Sequence, residues 1–195
     1  MIHPVRIDKK HRYWVPGPSQ TEPEVQVPGF TEVGKAMGII EENDFHTAEG
    51  RERGISLHKW LLFLAQGKAP TSHPDPRIAG KVEGIRKFMQ DTKFQFAGGE
   101  EPTYDPCTNT ACTPDLWGFI GSWFYVIDAK GGAKQSYHSI QTACQQLALT
   151  ANGFRIQKRA ALYLKDNAYR LEPHNDYGDI DRWKHTAYMY HRREK

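Results

Sequence analysis

Residues 113–120 and 123–130 form two runs rich in aromatic and β-branched side chains, separated only by Gly121 and Ser122. This pattern predicts strand, two-residue turn, strand, and a glycine in the first loop position suits a type II′ turn. A two-residue loop pairs position 120 with 123. Each step back along the first run is then matched by a step forward along the second, and Asp115 falls opposite Asp128. Lys130 shares their face, because strand side chains alternate from side to side. Elsewhere the apolar spacing is helical. A helix is predicted over 47–66, with Ile55, His58 and Leu62 at i, i+3 and i+7, and another over 76–90, with Ile78, Val82, Ile85 and Phe88 on one side. A third, over 137–151, carries Ile140, Cys144, Leu147 and Ala151 on a stripe and meets the stop signal Asn152-Gly153. Strands are expected over 11–15, 94–97, 155–164 and 169–172, and a last helix over 179–193. Residues 16–30, rich in Pro, Gly and Glu, read as a loop. The alternation of strands and helices predicts an α/β domain with a central mixed sheet flanked by helices.

Size and charge narrow the classes. A chain of 195 residues suits one domain with a sizeable core, here an N-terminal strand-and-loop region (1–45) leading into the main unit (46–195). The balance of 26 basic against 23 acidic residues gives +3, which permits nucleic-acid binding without demanding it. No apolar run approaches the roughly 20 residues of a membrane span. The amino terminus has no apolar leader core, so the chain reads as cytosolic and free of membrane contact. Cys107, Cys112 and Cys144 lack Cys-x-x-Cys spacing and read as reduced, structural residues.

The hairpin carries the chemistry. Directly opposed carboxylates repel. Either a divalent cation, which takes hard oxygen ligands, or Lys130 on a solvated face offsets that repulsion. His58 shares a face with apolar residues and by periodicity reads as a core histidine. Gln141 lies off the apolar stripe of its helix and by itself reads as solvated surface. Gly131-Gly132 lacks the spacing of a P-loop and reads as room for a nucleic-acid backbone.

Pro114-Asp115, an apolar strand, then Asp128-Ala129-Lys130 resembles the signature of the PD-(D/E)XK nuclease superfamily. Four further segments are similar to its RecB-like and phage-exonuclease branch in the same order. These are Gly54-Ile55-Ser56-Leu57-His58, the glutamate segment from Glu100 to Pro106, Ala111-Cys112-Thr113-Pro114-Asp115, and the glutamine helix from Tyr137 to Gln141. Cys112 stands where that branch has glycine, and Gln145 where it often has tyrosine. The resemblance implies a restriction-endonuclease-like core and a DNA exonuclease of phage recombination or repair type. It further implies one or two Mg²⁺ or Mn²⁺ ions on His58, Glu100, Asp115, Asp128 and the Ala129 carbonyl, with Lys130 and Gln141 completing the catalytic set. Glu100 rather than Glu101 falls at the branch's spacing. Linear duplex or single-stranded DNA ends would be the substrate, with a single-strand-annealing or recombination protein, or further copies of the chain, as partners. No iron–sulfur cluster is expected, since three cysteines cannot supply four ligands. The alternative is a catalytically silent nucleic-acid-binding or assembly protein on the same fold.

Overall fold

The computed structural model describes residues 4–19, 21–41, 47–68 and 71–193. Three short antiparallel strands, β1 (Arg6–Ile7), β2 (Tyr13–Val15) and β3 (Val25–Val27), make an N-terminal sheet followed by helix α1 (Phe30–Ala36). The Pro/Gly/Glu-rich stretch is therefore not loop throughout. Val25–Val27 pairs with Tyr13–Val15, and burying Val15 and Val27 together with Ala111 gives that pairing an apolar anchor.

Two helices come next, α2 (Ala48–Ala65) and α3 (Pro76–Thr92). Each begins on a side-chain cap: Thr47 accepts from Gly50 N at 3.0 Å, and Asp75 accepts from Arg77 N at 2.8 Å with Pro76 in the first turn. Strand β4 (Gln95–Gly98) leads to a small ribbon of β5 (Thr103–Asp105) and β6 (Thr110–Cys112). The hairpin β7 (Leu116–Ile120) and β8 (Trp123–Lys130), helix α4 (His138–Ala151), strands β9 (Lys158–Lys165) and β10 (Ala168–Pro173), and helix α5 (Gly178–Arg193) complete the chain.

The main sheet is five-stranded and mixed, in the order β10-β9-β8-β7-β4. Only β8 and β9 run parallel, and α4 makes the crossover between them. Alternating residues of β7 and β8 feed two apolar layers. Leu116, Ile127 and Ala129 pack beneath Leu57 and Leu61 of α2 and Ile78, Val82, Ile85 and Phe88 of α3. Trp117, Phe124 and Val126 meet Leu149 of α4 on the other face. Further out, Ile140, Cys144 and Ala148 of α4 join Phe30 and Val33 of α1 and Trp183 and Ala187 of α5. Helices thus flank the sheet on both faces. Among the described residues, no helix is long and apolar enough to cross a membrane.

The hairpin has the predicted register, from Leu116 opposite Ile127 to Ile120 opposite Trp123. Gly121 alone in its loop has positive φ, +59°, as a type II′ turn requires. The α3 stripe is core, as its spacing predicts. The α2 stripe is different: Leu57 and Leu61 supply its core face, while Ile55 is 57 % exposed and Leu62 only partly buried. The Ile55–His58–Leu62 line looks along the rim of the sheet instead, so His58 is a rim residue rather than a core histidine.

Candidate metal centre

The site forms where the β7–β8 hairpin opens away from its turn. The ladder ends at the Leu116–Ile127 pair, one residue short of the Asp115–Asp128 pairing expected from register. Freed from the strand, Asp115 turns its side chain along the sheet end, and its Oδ2 accepts the Ala129 amide at 2.6 Å. The two aspartates thus meet different partners: Asp115 faces His58 of α2, and Asp128 faces Gln141 and Gln145 of α4.

Glu100 arrives by a different route. Register shifts between Phe96 and Gly98, a bulge next to the site. Gly99 then presses on the Asp115 carbonyl and the Leu62 and Leu116 side chains, leaving no room for a Cβ. Glu100 follows with φ +56°, uncommon for a residue with a side chain, and its amide donates to the Pro114 carbonyl at 2.9 Å. Residues 100 and 101 belong to no strand, so alternation along a regular strand does not choose between them. The left-handed kink does, delivering Glu100 to the site, while Glu101 is exposed.

His58 Nδ1 lies 3.2 Å from Asp115 Oδ1 and 3.3 Å from Glu100 Oε1. One potential ligand atom from each of His58, Glu100 and Asp115 lies within 4.8 Å of the others, so the three could hold a metal ion. Both neighbours of Nδ1 are carboxylates, which only accept, so Nδ1 carries a proton here. The charge on Asp115, opposed by burial and aided by the hydrogen bonds that His58 donates to Asp115 and Glu100, raises the His58 pKa to about 11. That proton and a divalent cation are alternative ways to neutralise the same two carboxylates. An imidazole nitrogen with two carboxylate oxygens suits Mn²⁺ at least as well as Mg²⁺, which prefers oxygen alone.

Asp128 stands outside this trio in a network of its own. Its Oδ1 accepts from Gln141 Nε2 at 3.0 Å and from Gln145 Nε2 at 2.7 Å. Lys130 Nζ lies 2.6 Å from Oδ2, as an ion pair without hydrogen-bond alignment, and donates to Gln141 Oε1 at 2.9 Å. Burial works against the Lys130 charge, but Asp128 and then Asp115 outweigh it and hold the ammonium above its ordinary pKa. Gln141 is thus not solvated surface; it bridges Asp128 and Lys130.

Gln145, the residue at the departure from the tyrosine pattern, is 2 % exposed and makes the shorter bond to Asp128. The signal for it was present in the sequence: Gln141 and Gln145 are i and i+4 on one helix, hence neighbours. Ala129 is buried in β8, and its amide fixes Asp115. Cys112, in place of glycine, points into the apolar layer beside Cys144, so the β6 backbone accommodates its side chain. Cys107 is exposed, and all three thiols are free.

A cavity of about 540 Å³ opens directly on His58, Glu100 and Asp115. A neighbouring one of about 560 Å³ reaches Gln141 and Gln145. The two share His11, Tyr13 and Thr113, and the Tyr13 hydroxyl lies 3.1 Å from Thr113 Oγ1, tying the N-terminal sheet to the loop before Asp115. The chain matches no protein-family model and no curated protein.

Proposed function

We propose that this chain is a divalent-metal-dependent deoxyribonuclease on a restriction-endonuclease-like core, acting on DNA ends as an exonuclease. The observation that carries the reading is the convergence of His58, Glu100 and Asp115 within 4.8 Å, beside the half-buried Lys130 paired with the buried Asp128 at the same sheet end. The arrangement has the parts phosphodiester hydrolysis needs: anionic ligands for a metal, and a fixed cation beside them. The restriction to DNA and to ends comes from the resemblance of the Pro114-Asp115, Asp128-Ala129-Lys130 and Gln141 segments to the RecB-like branch.

In this reading His58, Glu100 and Asp115 hold the ion, with Asp115 fixed by the Ala129 amide. A bound divalent cation polarises the phosphate and lowers the pKa of a coordinated water. Lys130, held charged by Asp128 and aimed by Gln141, stabilises the negative charge that develops on the phosphoryl oxygens. Gln141 and Gln145 fix the Asp128 carboxylate, so that Lys130 is held in place before substrate arrives.

The test is incubation of end-labelled linear and closed circular DNA with Mg²⁺, Mn²⁺ or EDTA, with Lys130→Ala alongside. Loss of linear DNA alone, only with metal, slowed roughly 10²–10³-fold in the variant, is expected from removal of one preorganised electrostatic group. Binding without cleavage under every metal would refute catalysis and leave a DNA-binding protein.

A further inference from the structure

We propose that the cavity beside the metal cluster is a subsite for the unstacked bases of a single DNA strand. This rests on the nuclease reading above and adds to it the form of the substrate. The cavity, about 540 Å³, has His58, Glu100 and Asp115 on one side and Ile7, Tyr13, Ile55, Leu62 and Pro102 around the rest. Two of these apolar side chains stand open to water: Ile55 is 57 % exposed and Ile7 36 %. They reach the same opening from different parts of the fold. Ile55 sits one helical turn before His58 on α2, and Ile7 lies on β1 of the N-terminal sheet. Tyr13, on the neighbouring strand, is held against the site loop through Thr113.

The chemistry of this lining selects its occupant. The outside of a duplex presents phosphates and sugars, and its base faces are stacked out of reach, so a duplex-binding surface is lined with Lys and Arg. Here the lining holds one lysine, Lys59, and no arginine; apart from the cluster, His11 and Thr113, the remaining wall is aliphatic and aromatic. Tyr13 offers the aromatic surface on which single-strand binders stack bases without regard to sequence, and the exposed Ile7 and Ile55 gain by covering further base faces. The strand would lay its phosphate on the cluster and Lys130 while adjoining bases rest on Ile7, Tyr13 and Ile55.

The experiment measures fluorescence anisotropy of labelled oligothymidylate and of a blunt hairpin duplex, both in EDTA, and cleavage of the same two DNAs in Mn²⁺. Wild type, Ile7→Ser, Ile55→Ser and Ile55→Trp are compared. Ile7 and Ile55 are exposed, and unchanged thermal midpoints verify that the variants fold. Wild type is expected to bind oligothymidylate roughly tenfold or more tightly than the duplex. Each serine variant should lose roughly tenfold of that affinity, and Ile55→Trp, which supplies an aromatic stacking surface, should retain it. Equal affinity for the duplex, serine variants that bind the single strand like wild type, or cleavage of the blunt duplex with the single strand left intact would each overturn the subsite and leave the nuclease standing. Absence of both binding and cleavage for either DNA would overturn the nuclease reading and the subsite with it.

Discussion

Gln145 permits a prediction whose sign depends on two opposing magnitudes. Its amide nitrogen donates to Asp128 Oδ1 at 2.7 Å, while its Oε1, equally buried, has no hydrogen-bond partner. Gln145→Met deletes a hydrogen bond to a charged group, worth about 1.5–3 kcal/mol net. The same change removes a buried, unsatisfied carbonyl whose burial costs about 1–3 kcal/mol. The side chain keeps its length and volume, and Asp128 keeps Gln141 and Lys130. The net change should therefore be within about 1 kcal/mol of zero. Gln145→Glu is nearly isosteric but turns the donor into a second carboxylate against Asp128. The added carboxylate is left buried without a partner of opposite charge, a situation that costs about 3–5 kcal/mol. Urea denaturation separates the two: with a slope of about 2 kcal/mol/M, Gln145→Met moves the midpoint by less than about 0.5 M and Gln145→Glu lowers it by about 1.5 M or more. The glutamate penalty should shrink on acidification, as the added carboxyl takes up a proton. A costly Met variant beside a neutral Glu variant would refute the donor role assigned to Gln145.

Other expectations follow from neighbouring features. His138 Nδ1 accepts the Gln135 amide at 3.3 Å and lies 2.9 Å from the Tyr163 hydroxyl, and burial, then the Lys130 charge, lowers its pKa to about 4. The unfolded chain takes up this proton near pH 6.5, so between about 6.5 and 4 it binds more protons than the fold and stability falls with pH. His138→Gln should reduce the fall by about 1–3 kcal/mol in thermal melts across that range; identical slopes in both proteins would exclude this role. Because His58 holds its proton well above neutrality, Mn²⁺ must displace it, and calorimetric Mn²⁺ affinity between pH 6 and 8 should rise by up to about tenfold per pH unit; a flat profile would count against His58 as a ligand. Gly84 of α3 lies against the Ala168 and Lys165 carbonyls with no room for a Cβ. Gly84→Ala should therefore lower the melting midpoint by the equivalent of about 1–3 kcal/mol of overpacking, less the roughly 1 kcal/mol gained in helix propensity; a raised midpoint would show that α3 and β10 can separate freely.

The hairpin was legible in the sequence because a two-residue loop admits one register, and its aromatic strands bury a face on each side. The stripe of Ile78, Val82, Ile85 and Phe88 was legible for the same kind of reason: a period repeated over several turns leaves one face for the core. The site was legible only in part. Pairing arithmetic placed Asp115 opposite Asp128, but whether a ladder continues to its last pair is a tertiary matter, and here the Ala129 amide takes the Asp115 side chain instead. Glu100 was selected by its spacing in the motif. The bulge and the positive φ that present it arise from packing between Gly99 and the Asp115 backbone, which no local propensity encodes. His58 was misread by periodicity because the spacing i, i+3, i+7 says that residues share a face, not which face meets the core. β3 went unread because three residues between prolines carry too short a pattern, and their burial depends on partners distant in sequence.

The claim on which the account turns is that His58, Glu100 and Asp115 bind one divalent cation. Electron paramagnetic resonance of free Mn²⁺, titrated with wild type, His58→Ala and Asp115→Asn at pH 7.5, tests it without reference to any DNA. The account expects wild type to deplete the free-ion signal with a saturable site and both variants to weaken that binding by at least about tenfold, each having lost one of three ligands. Mn²⁺ that stays free in the presence of wild type, or binds the two variants as tightly as wild type, would contradict it.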